Sequence, residues 1–264
     1  MAKETGINLR ANTALFVTHN HLNHCNDINA VISAMTYGGF DKKGVLVANN
    51  TVINGSLNHE PFLRKFYRDC LERFVILGEG KKVGINDVEI KAIKAKHSEP
   101  NAIGFKFITQ DFTLAYSGDT AYSAETLADY ENSNILILNV PYLKKEESRD
   151  NLCKEDAIKI IQKVNPKLAI ITHFGINFLK ADPLYEIREI QKETSAQVIA
   201  AKDGMVINPI SYDVQQAQKT LYKYAKKEGV RLQEYKQQEE VKEVDEIIGE
   251  KQTELGNEDS KDSF

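Results

Sequence analysis

Three histidines fall within six residues in the stretch Thr18-His19-Asn20-His21-Leu22-Asn23-His24. They follow directly on the apolar run Ala14-Leu15-Phe16-Val17, which reads as a strand that delivers them to its C-terminal edge. Neutral imidazole nitrogens suit zinc, iron or manganese, and a cluster this tight has few structural uses. Asn23 stands inside the cluster, where it offers a neutral amide and no carboxylate.

The chain has six histidines, and two more sit where strands end. His97 follows the apolar segment 88–95, and His173 follows 168–172. Asp119 follows 113–116 in Ser117-Gly118-Asp119-Thr120. Each candidate ligand ends a strand and opens a loop, so one edge of a layered sheet protein would gather them all. The sixth histidine, His59, reads as a surface residue ahead of a helix.

The elements that must hold this edge are legible in the apolar pattern. Strand character recurs at 14–17, 45–48, 74–77, 88–95, 103–108, 113–116, 135–139, 168–172 and 198–201. Asn26 or Asp27 can cap a helix through Met35, which Gly38-Gly39 ends. Residues 153–164 place Ala157, Ile160, Ile161 and Val164 on one stripe before Pro166, and a further helix spans 183–194. The second half thus alternates strand and helix, while 88–116 reads as antiparallel strands. Mixed sheets with helices outside them make an α/β sandwich.

A length of 264 residues accommodates one such domain, 1–210, and an appendage, 211–264. The appendage is rich in Gln, Glu and Lys and carries the whole net charge of −4, with 9 basic and 13 acidic residues. Its sparse apolar positions allow a solvated helix or a short coiled coil, and its last ten residues read as disordered. The balanced domain offers no basic footprint for nucleic acid, which is therefore not favoured as a partner. No run is long and apolar enough to cross a bilayer, and there is no signal-peptide pattern. Cys25, Cys70 and Cys153 are isolated and odd in number, which fits a reducing cytoplasm.

In this order, His-x-His-x-x-His, a lone His, Gly-Asp-Thr and a lone His resemble the motifs of the metallo-β-lactamase fold hydrolases. The resemblance spans residues 11–208 and implies an αββα sandwich. It implies His19, His21 and His97 on one metal, and Asp119 bridging to a second held by His24 and His173. Zinc is the first expectation, as one or two ions, with iron or manganese also accepted by such ligands. The activity implied is hydrolysis of a phosphodiester or ester-like bond by a metal-bound hydroxide. The Ser-Gly-Asp-Thr is most similar to the ribonuclease Z branch. The transfer-RNA clamp of ribonuclease Z and its His-Glu-Ala-Thr have no counterpart here, so that enzyme itself is not implied.

Two departures from the family pattern matter. Asn23 replaces the motif carboxylate, so the second site is either weaker, or Asn23 orients the catalytic water as a hydrogen-bond partner. Asp27 is a conceivable substitute ligand, although a helix cap is the plainer reading. The family also carries strands ahead of the first histidine strand, where this chain supplies only residues 1–12. An upstream segment or an exposed edge would follow, and the edge or the C-terminal helix could drive self-association. The alternative to a hydrolase is a degenerate metal-binding scaffold. Asn139, Tyr142, Phe174 and Lys180 read as ordinary loop residues.

Overall fold

A computed structural model describes residues 5–145 and 150–212. The expected helix, coiled coil and disordered end in the appendage lie outside the described residues.

The expected strands form, with their limits adjusted by a residue or two. They are β1 (Ala14–Val17), β2 (Val45–Ala48), β3 (Arg73–Ile76), β5 (Val88–Lys94), β6 (Ile103–Ile108), β7 (Thr113–Tyr116), β8 (Ile135–Asn139), β9 (Leu168–Thr172) and β10 (Val198–Ala200). A further strand, β4 (Lys82–Ile85), escapes the sequence pattern because it is four residues long with only Val83 and Ile85 apolar. The helices are α1 (Leu22–Cys25), α2 (Ile28–Met35), α3 (Asn50–Asn54), α4 (Lys65–Cys70), α5 (Ala124–Tyr130), α6 (Lys154–Val164), α7 (Ile176–Lys180) and α8 (Pro183–Thr194). The short ones, α1, α3, α4, α5 and α7, carry too few turns to show a period.

The helix ends have local causes. Asp156 at the third position of α6 accepts from the Cys153 backbone, and Asn165 closes the helix in the left-handed conformation before Pro166. Pro183 opens α8, where Asp182 accepts from the Leu184 N–H. Asp27 stands at the start of α2, but its carboxylate accepts from the Asn26 side chain and leaves the helix uncapped.

Two sheets result. The first has the order β1-β2-β3 and is parallel throughout, so only the second is mixed. The second has the order β10-β9-β8-β7-β6-β5-β4, antiparallel from β4 to β7 and parallel from β7 to β10. Among the described residues β1 and β3 are the edges of the first sheet.

Strand alternation sorts the side chains into layers. Val17, Leu46 and Ala48 turn outward to Ile28, Ile32, Val52 and Ile53 of α2 and α3. Val47, with Phe16 and Val45, turns inward onto Ile90, Ala92, Ile103 and Phe105 of the second sheet. The far face of that sheet, including Ile93, Ala115, Leu136 and Ala169, packs on α6 and α8 through Ile160, Ile161, Ile187 and Ile190. This is the αββα sandwich. A fourth cluster joins Ile135, Leu168 and Ile170 to Ile207 and Tyr212 of the closing segment.

One glycine couples the sheet to its upper edge. A Cβ on Gly104 would lie 2.5 Å from the Tyr116 carbonyl oxygen and 2.7 Å from that of Ser117. Both obstacles are backbone, so neither can swing away. Gly104→Ala is expected to cost about 1–3 kcal/mol by overpacking and to push β7 away from β6, just below Asp119. Denaturant unfolding checks the stability, and unchanged stability would show the strands have slack.

Candidate metal centre

The ends of β1, in the first sheet, and of β5, β7 and β9, alternate strands of the second, each release the chain into a loop that carries one or more histidines or the aspartate. β1 ends at Val17, and the chain runs extended to His21 before α1. The His21 carbonyl accepts from His24 N (2.9 Å) and Cys25 N (3.1 Å), and this turn separates His21 from His24. The three-residue spacing in the sequence is therefore one short helical turn.

Two sets of donors emerge. In the first, His19 Nε2 lies 3.1 Å from His21 Nδ1, and His97 Nε2 lies 3.1 Å from the same Nδ1. In the second, His24 Nε2 lies 3.2 Å from Asp119 Oδ2 and 3.0 Å from His173 Nε2. Asp119 Oδ2 is 3.7 Å from His173 Nε2. His19, His21 and His97 offer ligand atoms within 4.8 Å of one another, and so do His19, His24 and Asp119, so the sets adjoin.

The donor set fits a zinc-like cation. At a Zn–N distance of about 2.0–2.1 Å, the edges of a coordination tetrahedron are about 3.3–3.4 Å, close to the spacings of the first set. The tautomers also agree. His97 Nδ1 lies 2.8 Å from the Asp150 carbonyl oxygen, which can only accept, so neutral His97 turns the bare lone pair of Nε2 to the cluster. His19 Nδ1 lies 3.0 Å from Thr18 Oγ1, a hydroxyl able to accept from a protonated Nδ1, which is compatible with the same tautomer. Metal-binding histidines ordinarily have such a second partner.

Electrostatics keep the donors in ligand form. Burial, with the neighbouring His24, pushes His19 down to about 3. Burial and His97 likewise lower His21. For Asp119 burial works upward, but hydrogen bonding and charge from His24, with Asn139 and His173, outweigh it and hold the carboxyl below its ordinary range. No proton then has to leave these imidazoles at neutral pH before a cation enters.

Asn23 lies in the second set. It is exposed, and its Nδ2 lies 3.1 Å from His173 Nε2; turned over, the same side chain presents Oδ1 to that point. Asp27 is exposed, lies in neither set, and does not replace the missing carboxylate. His173 is held at φ 63°, a left-handed conformation uncommon outside glycine, and backbone strain of this kind concentrates at functional sites. His59 meets Ser56 at 3.2 Å and is in neither set.

Asn139, read from sequence as a loop residue, belongs to this centre. It is fully buried at the end of β8 and donates through Nδ2 to Asp119 Oδ1 at 2.6 Å. One lobe of the carboxylate is thereby occupied and Oδ2 is left for the second set. Thr18, Glu99, Thr120 and Asp150 also brace the histidine loops, as when Thr120 Oγ1 accepts from Lys96 N at 2.9 Å. Nothing local marks Glu99, Thr120 and Asp150, because each has a partner far away in sequence, whereas Thr18 braces its neighbour His19.

The beta-lactamase superfamily domain model matches residues 3–174, which carry every ligand candidate through His173. The chain belongs to this superfamily. A relative in Methanocaldococcus jannaschii, "uncharacterized protein MJ1374", is 32% identical over 196 residues, covering 74% of this chain and 73% of its own. Among solved structures, the metallo-beta-lactamase fold protein YhfI of Bacillus subtilis superposes with a TM-score of 0.63 at 17% identity, covering 77% of this chain and 81% of that one. A diphosphatase of the PhnP family does so with a TM-score of 0.57 at 18% identity, covering 78% and 74%. At these identities the two structures establish the superfamily fold alone. Among the described residues no helix is long and apolar enough to cross a membrane.

Proposed function

We propose that this superfamily member is a metal-dependent hydrolase of a phosphodiester or another ester-like bond. The observation that carries the reading is the convergence of two adjoining donor sets, on loops from both sheets, at one edge of the sandwich. His19, His21 and His97 would hold one ion; Asp119, His24 and His173 would hold a second, with Asn23 beside it. Zinc suits a set dominated by imidazole, and iron or manganese would also be accepted. A cation there supplies Lewis acidity, lowering the pKa of a water towards about 7 and drawing charge from the scissile centre.

The side chains divide the remaining work. Asp119 keeps its negative charge next to His24 and His173, and Asn139 fixes which oxygen it presents. Asn23, exposed beside His173, is placed to hydrogen-bond a substrate oxygen or the attacking water. The structural likeness to a diphosphatase supports phosphoryl chemistry as the first class to assay. The free, buried cysteines support a reducing, cytoplasmic setting.

Metal per chain by plasma mass spectrometry, paired with turnover of bis-p-nitrophenyl phosphate, tests the proposal. Bound metal with turnover is expected. Bound metal without turnover on a broad ester panel would transfer support to a scaffold role, which the neutral Asn23 also favours. Absence of metal would remove both readings.

Asn23→Asp adds an anionic oxygen beside His24 and His173. It is expected to raise occupancy of the second site, read as metal per chain at limiting zinc. Unchanged stoichiometry would place Asn23 outside the coordination sphere.

A further inference from the structure

We infer that Glu99 is the counter-charge of the first donor set, acting from behind the histidines rather than on an ion, an inference that rests on the metal-binding reading above. His19, His21 and His97 are three imidazoles whose nearby carboxylate, Asp150 Oδ2 at 3.4 Å from His97 Nδ1, is partly exposed to solvent, so a dication held there would leave positive charge to be balanced from inside the fold. Asp119 is turned to the second set and to Asn139.

Glu99 is 1% exposed and accepts at both oxygens. Asn49 Nδ2 donates to Oε2 at 2.6 Å, while Thr51 Oγ1 (2.8 Å) and the Asn101 N–H (2.9 Å) donate to Oε1. An acceptor-only pattern of this kind belongs to an ionised carboxylate. Among the described residues no lysine or arginine pairs with it. The equally buried Asp156 differs, since Lys145 Nζ lies 2.8 Å from it. Buried charges are ordinarily paired or serve a metal, and with no paired cation among the described residues Glu99 is free for the second role.

Its place in the fold fits that role. It lies two residues after His97 in the same loop, and the Asn49 amide that it binds also donates to the Thr18 carbonyl at 3.2 Å. The Thr18 hydroxyl in turn meets His19 Nδ1. One buried anion is therefore built into the support of both loops that form the first set.

The test is zinc affinity for the first equivalent, measured by competition with a chromophoric chelator on the full chain, on Glu99→Gln and on Glu99→Asp. Heat stability of each metal-free protein is recorded alongside. Glu99→Gln keeps the shape and loses the charge, and is expected to weaken the first equivalent about tenfold or more. Glu99→Asp keeps the charge and fits the hydrogen-bond cage less well; it is expected to bind nearer to wild type even where it melts lower. Wild-type affinity in Glu99→Gln, or weaker binding by Asp than by Gln, would overturn the inference and leave the hydrolase reading intact. Should Glu99→Gln fail to fold, a tenfold loss in Glu99→Asp would overturn it and near-wild-type affinity would support it. A wild-type chain that takes up no zinc would overturn the metal reading and this inference together.

Discussion

Asp119→Asn is expected to lose the second metal equivalent and to lower phosphodiester turnover more than about a hundredfold, beyond what removal of an outer partner costs. The substitution keeps the size of the side chain. Asn139 Nδ2, 2.6 Å from Oδ1, demands an acceptor there, so the new amide must keep its oxygen towards Asn139. Its NH2 group then falls where Oδ2 faced His24 and His173. An amide nitrogen donates hydrogen bonds and does not ligate, so the second set loses its single charged donor. The fold should persist, because the hydrogen bond from Asn139 Nδ2 is kept and the β7–β8 pairing is untouched. Metal per chain and thermal unfolding, measured on the same preparation, separate loss of the site from loss of structure. Two equivalents retained would mean that Asp119 is no ligand.

The second large effect is on stability in acid. Burial and His24 hold folded His19 down to about 3, against 6.5 for an ordinary histidine. Between those values the unfolded chain binds a proton that the metal-free folded chain refuses. Stability then rises with pH across this window; it is complete above about 6.5 and is lost progressively as the pH falls. One such proton is worth about 1.4 kcal/mol per pH unit, a large share of a marginal total of about 5–15 kcal/mol. Denaturant unfolding of chelator-treated protein at neutral pH and at about pH 5 should give clearly lower stability in acid. His19→Asn should flatten that dependence. An equally steep fall in the variant would assign the acid sensitivity to other groups.

Much of this protein was determined locally and could be read from the chain alone. Segments such as 14–17, 103–108 and 168–172 are apolar and rich in branched or aromatic side chains, and they are strands in the structure. His19, His21, His24, His97, Asp119 and His173 are legible because a strand that ends in a potential metal donor is a local pattern. The structure brings all six to one edge. Weak or short periodicity hid β4 and the small helices, since Lys82–Ile85 earns its strand only by pairing with β5.

Tertiary structure alone decided what stands behind the ligands. Asn139 lies 20 residues from Asp119, and Glu99 lies 50 from Asn49. Asp150 reaches His97 across 53 residues. These polar groups look like loop residues in the sequence, because a hydrogen bond between distant segments leaves no period or spacing there. It also took the fold to show that Asp27 turns to Asn26, leaving Asn23 beside His173. The sequence names the donors because their chemistry is intrinsic to the side chain. Which oxygen or nitrogen each presents, and which buried charge offsets them, depends on neighbours that only folding supplies.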